Sequence, residues 1–129
     1  MENFRQFEAG PDPFGRKWRV LFKWLQTAIS LRHSDTVDVK FVLLSDDVKV
    51  EKAIAMQHLD LLNIAKETGE NVTDSWCSRL AAMHLTHLIE TGEDLEKDLV
   101  TVPADELLAY ARRLQEEDRA EIARRRGAA

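Results

Sequence analysis

The sequence predicts an α+β fold: an N-terminal antiparallel three-stranded meander packed on three C-terminal helices. Three observations carry the expectation. Val37, Val39, Phe41 and Leu43 alternate with Thr36, Asp38, Lys40 and Val42, the period-two pattern of a half-buried strand. After His58 the apolar period changes to 3.6 residues. Gly69 and Gly92 each close a helical stretch within the same tetrapeptide, Glu-Thr-Gly-Glu, as residues after a helix C-cap do.

Residues 1–15 read as an arm. Gly10-Pro11-Asp12-Pro13 is rich in turn formers, and Gly15 follows. Phe4, Phe7 and Phe14 are large rings on an otherwise polar segment, so the arm either docks them on its own core or reaches a partner subunit. The remainder, 16–129, reads as a single α+β domain, with the sheet in 16–57 and the helices in 58–126.

Residues 16–33 are ambiguous. Trp18, Leu21, Phe22, Leu25, Ala28 and Ile29 have helical spacing, and a helix over 16–26 stays open. Yet Val20, Phe22 and Trp24 share one strand parity, while Thr27, Ile29, Leu31 and His33 share the other. The strand at 36–43 needs a neighbour, which favours a strand over about 20–32. A loop of His33-Ser34-Asp35 would set Leu31 opposite Val37, Ile29 opposite Val39 and Leu25 opposite Leu43. Ser45-Asp46-Asp47 is a turn, and a third strand spans 48–56. Lys52 falls on its inward parity, which suggests an edge strand or a bulge.

Leu59, Leu62 and Ala65 mark a short helix ending at Gly69. Thr73 or Asp74 caps the next. Its apolar residues from Trp76 to Ile89 cover most of the circumference, so this helix is the central, buried one. Leu99-Val100-Thr101-Val102 suits a brief extended piece, and Pro103 with Asp105 and Glu106 opens the last helix. Beyond Gln115 only Ile122 is large and apolar, so the final turns should project into solvent, with Arg124, Arg125 and Arg126 suited to the negative helix end.

Composition narrows the function. The chain has 129 residues, 44% of them hydrophobic and 32% charged, a globular balance. A single cysteine, Cys77, rules out an internal disulfide and any zinc site needing two cysteines of one chain. No apolar run approaches the ~20 residues of a membrane span, and the N-terminus lacks the pattern of a secretory signal. A cytoplasmic setting without membrane contact is therefore expected. The net charge is −5 and polarised: residues 1–57 carry nine basic and eight acidic side chains, residues 58–129 nine basic and fifteen acidic.

Motifs are sparse. Gly10 and Gly15 have the spacing of a phosphate loop with Arg16-Lys17 following, but Pro11 and Pro13 remove the amide donors phosphates need. On the central helix, Cys77, His84 and His87 lie near one another in projection. His84-x-x-His87 is an i, i+3 ligand pair, and His58 could approach in space. These four are the candidate metal ligands; the competing reading makes the histidines core hydrogen-bonders and the thiol a small hydrophobe. Arg16, Lys17, Trp18, Arg19, Phe22, Lys23, Trp24 and Arg32 interleave cations with aromatics. That composition suits single-stranded nucleic acid or an acidic surface, and equally a strand with one packed and one solvated face. Overall acidity makes nucleic acid the weaker choice.

The expected function is a small intracellular binding or regulatory module acting through protein–protein contacts. It is expected to be non-catalytic, to need no cofactor and to form a homodimer, with an acidic protein as a possible partner. Trp18, Arg19, Phe22, Lys23 and Trp24 are the candidate contact residues. A metal- or small-ligand-binding enzyme using Cys77, His84 and His87 is the alternative, and nucleic-acid binding through 16–32 the third.

Overall fold

The computed structural model describes residues 3–28 and 35–127. Along the chain run β1 (Gln6–Ala9), β2 (Trp18–Ala28), β3 (Thr36–Ser45), β4 (Val48–Gln57), α1 (His58–Thr68), α2 (Asp74–Thr91), β5 (Leu99–Thr101) and α3 (Ala104–Gly127). The strands form one sheet in chain order, antiparallel through β4, with β5 parallel to β4. The architecture is α+β: the antiparallel strands come first and the three helices follow.

Strand β2 excludes a helix over 16–26. It also carries a register shift between Phe22 and Trp24. The extra residue, Lys23, flips the pleat. Before it, Val20 and Phe22 face inward, opposite Leu43 and Phe41; after it, Leu25 and Thr27 take the inward side, opposite Val39 and Val37. Trp24 consequently turns outward beside Lys40. The observed register corrects the expected one. Leu25 pairs with Val39 rather than Leu43, because the ladder runs to Ala28↔Thr36, a register four residues from the one a loop at 33–35 would set. The expected pairs of Ile29 and Leu31 lie outside the described residues.

Strands β3 and β4 pair without interruption from Thr36↔Gln57 to Ser45↔Val48. Their turn is two residues long and uses a left-handed Asp46, φ 51°, a conformation Asp tolerates. Lys52 sits inward opposite Phe41 in this regular ladder, so no bulge explains it. β4 pairs with β5 only from Ala53 to Ala55; Lys52 lies just beyond that short contact.

Residues 3–15 do not hang free. Gln6–Ala9 pairs with Trp18–Leu21, and Phe4, 8% exposed, packs edge-on to Phe22 with ring centroids 5.4 Å apart. Phe7 meets Phe41 at 6.3 Å. Two of the three arm phenylalanines thus belong to the protein's own core.

The core is a single layer between the inward sheet face and α2. Val20, Val39, Phe41, Ile54 and Met56 pack with Leu80, Leu85 and Leu88. Thr73 caps α2, its hydroxyl accepting the Trp76 amide at 3.1 Å, and Gly92 ends it at φ 79°. Only the first half of α3 packs, through Leu107, Tyr110, Ala111 and Leu114. Among the described residues no helix is long and apolar enough to cross a membrane.

Candidate functional site

The candidate metal ligands divide by environment. Cys77 is 2% exposed on α2, and burial, helped by the Asp74 charge, pushes its thiol up to about 12. A thiol held protonated is a poor nucleophile and a poor ligand. His84 is equally buried. Its Nδ1 shares a hydrogen bond of 2.8 Å with the Tyr110 hydroxyl, and Glu106 lies 3.6 Å away. Burial, reinforced by His87, depresses His84 to about 4, so its ring is neutral at pH 7. His87 is half-buried one turn on, its Nε2 3.3 Å from a Glu93 oxygen, and the two imidazoles stack with centroids 6.1 Å apart. His58 opens α1, where its amide donates to the Asp35 carbonyl at 2.9 Å. Among the described residues, no three of His, Cys, Asp and Glu stand together as a metal ion needs.

The bulge at Lys23 splits the candidate contact residues between two faces. Phe22 points inward and touches Phe4 and Phe41. Trp18, also inward, borders a cleft described below. Arg19 and Trp24 point outward, opposite Leu44 and Lys40. Lys23 joins them by pairing with Glu51, which also takes Lys40 at 3.4 Å. The Glu51 carboxyl is held below the usual carboxylate range chiefly by the Lys23 hydrogen bond. Lys40 in turn lies over the Trp24 ring, 5.6 Å from its centroid.

This outward sheet face is apolar at its centre. Leu21, Val42 and Leu44 are half-buried by their strand neighbours and lie outside the core cluster. Leu99 of β5, beside Ala53, is 56% exposed on the same side. Strands β2 to β4 place Arg19, Lys23, Lys40 and Lys49 around this centre, against Asp38 and Glu51.

A second feature was foreshadowed only by the inward parity of Lys52. At the β3–β4 end of the inward face, past the C-terminus of α2, a cleft of about 320 Å³ opens. Phe14, Trp18, Leu43, Val50, Ile89 and Leu95 line it on the apolar side, and Asp12 and Arg16 add polar groups. Lys52 lies in its lining, 3% exposed, its ammonium donating to the carbonyls of Leu95 at 2.8 Å and Lys97 at 2.6 Å. Burial lowers the Lys52 pKa, opposed by the charges of Asp98, Glu96 and Asp94. The inward-parity lysine was the sequence signal for this cleft. Its partners, two main-chain carbonyls more than forty residues away, leave no trace in composition.

The loop bordering the cleft is pinned by one carboxylate. Asp12 Oδ1 accepts the amides of Phe14 and Arg16 at 2.9 and 2.8 Å, and Oδ2 accepts Trp18 Nε1 at 3.1 Å. These bonds, the Arg16 amide foremost, hold its carboxyl below the ordinary range. The loop also rests on the end of α2: a methyl added at Gly92 would stand 2.9 Å from Pro13 Cγ.

No protein-family model, curated protein or solved structure matches this chain. What it does must therefore be read from these surfaces.

Proposed function

We propose that this chain is a small cytoplasmic binding module, non-catalytic, that docks a partner protein on the outward face of its sheet. The single observation that carries the reading is the apolar stripe of Leu21, Trp24, Val42 and Leu44, which lies outside the core and is framed by cations. Half-exposed apolar centres ringed by charge are the anatomy of protein interfaces, and Trp and Arg are favoured anchors in them. On the outward face four cations, Arg19, Lys23, Lys40 and Lys49, stand against three acids, Glu8 opposite Arg19, Asp38 and Glu51, and Lys23 and Lys40 share the Glu51 carboxylate. The partner that fits is a protein surface with an apolar middle and an acidic rim. A second copy meeting face to face would set like excess against like.

The chemistry-bearing side chains support a binding role over an enzymatic one. The thiol of Cys77 is buried and protonated, and His84 is committed to Tyr110. A lone buried thiol also suits a reducing compartment.

A photo-reactive benzoylphenylalanine placed at Val42 tests the reading in cells that make the protein. We expect one discrete adduct with another protein, lost when Lys23→Glu and Lys40→Glu are combined and weakened by salt. Adducts only with a second copy, no adduct, or a mixture indifferent to charge reversal would count against the docking face.

A further inference from the structure

Phe14 is the most anomalous residue of the surface. Its ring is 86% exposed, while Phe4 and Phe7 of the same segment are folded into the core. A solvated tail could carry a ring in that state at little cost, but Phe14 is not on a tail. Its own amide and that of Arg16 are bound by the Asp12 carboxylate. The backbone closes on itself as well, with Asp12 N donating to Arg16 O at 2.8 Å and Gly15 N to Asp12 O at 2.9 Å. The loop is braced from below, where Pro13 abuts Gly92. Phe14 is thus an apolar knob on a rigid mount, and its exposed ring is itself one of the residues that line an apolar cleft.

A knob and a hole side by side on one surface meet the requirement of an isologous contact, in which each copy offers both halves. We infer that the chain forms a twofold dimer in which the Phe14 ring of each copy enters the Trp18–Leu43–Val50–Leu95 cleft of the other. Three features support a second copy as the occupant. The knob is held in advance, so little conformational freedom is lost on docking. The cleft, about 320 Å³ and walled largely by apolar side chains, has room for the ring. The charges at its two borders are complementary: the knob loop carries the exposed Arg16 and Lys17, while Asp94, Glu96 and Asp98 lie in the segment that closes the cleft over Lys52. A twofold axis sets each copy's cations toward the other's acids.

The cleft belongs to the helix-covered side of the sheet, so this contact leaves the outward face free. It stands or falls separately from the docking role proposed for that face.

Light scattering over a concentration series tests the inference, with three proteins. The full chain should be dimeric at micromolar concentration. Phe14→Ala, a change at an exposed ring that leaves the fold intact, should raise the dissociation constant by roughly a hundredfold, since both symmetric anchors go. Val50→Trp, which fills the cleft from within, should do the same while its circular dichroism matches the parent. Mixed in equal amounts, the two variants should form a heterodimer weaker than the parent dimer but about tenfold tighter than either variant alone, because one of the two symmetric contacts, intact knob in intact cleft, is restored. A full chain that is monomeric at high micromolar concentration, an Ala variant that remains as dimeric as the parent, or a mixture that associates no more tightly than either variant alone would each overturn the inference.

Discussion

His84 keeps its proton off because the ring has been taken out of water beside a second imidazole, while Tyr110 gives it one good hydrogen bond. This has a pH signature. The folded pKa, about 4, lies below the ordinary imidazole value of 6.5, so between those values the unfolded chain binds the proton and the folded chain does not. Stability is therefore fully present above pH 6.5 and is lost as pH falls toward 4, by roughly 3 kcal/mol from this group alone. His84→Gln retains a partner for Tyr110 and cannot be protonated. Urea titrations at pH 7.5, 6, 5 and 4.5 should show the variant losing less stability than the parent across the series. Parallel curves would mean that His84 is accessible to protons in the native state.

At the scale of elements, β2 shows where a sequence can and cannot be read. Its two apolar parities looked contradictory because a regular strand has only one inward side. The bulge at Lys23 lets both be inward in turn, first Val20 and Phe22, then Leu25. Composition signalled that something was irregular but held no information on where the pleat would flip. Helix ends were legible for the opposite reason, since Thr73, Gly69 and Gly92 act through bonds within a few residues. The Phe14 knob was half visible, as a ring in a turn-rich segment, but not the cleft, whose walls come from four separate stretches of chain. Helix α3 follows local rules too. Past Gln115 it is held by pairs such as Glu121 with Arg124 and Arg125, and by the 2.8 Å contact of Arg79 with Asp118. Exposed pairs of this kind contribute little. Truncating the chain after Asp118 should change stability by less than about 0.5 kcal/mol. A cut that also removes Leu114, which is 2% exposed, should cost about 2–5 kcal/mol. Thermal melts of the two truncations check both; equal losses would show that the outer turns carry packing.

For the whole molecule, the arrangement sorts function by face. Helices seal one side of the sheet, the outward side keeps Leu21, Trp24, Val42 and Leu44, and the Phe14 loop with its cleft occupies one end. The charge polarity of the chain maps onto this plan only in part. Arg19, Lys23, Lys40 and Lys49 do line the outward face, but Arg16 and Lys52 lie at the cleft, and the acids of 94–98 gather around Lys52 within the same copy. Charge at that end is thus partly balanced before any partner arrives.

The parallel strand β5 has a consequence in time. Strands β1 to β4 are neighbours in chain order, so each pairing closes a short loop and can form early. β5 must wait for α1 and α2 to be placed, and it then adds only three residues of ladder, secured by Val102 N on Ala55 O and by the Lys52 ammonium on Leu95 and Lys97. The edge of the sheet is therefore the last part to assemble and the first able to open. Amide exchange should reveal Val100 and Val102 opening at lower free energy than Val39 and Phe41, and Lys52→Met should lower that opening energy further by about 1–3 kcal/mol without touching the central strands. Uniform protection across the sheet in both proteins would show instead that the late strand and the meander unfold as one unit.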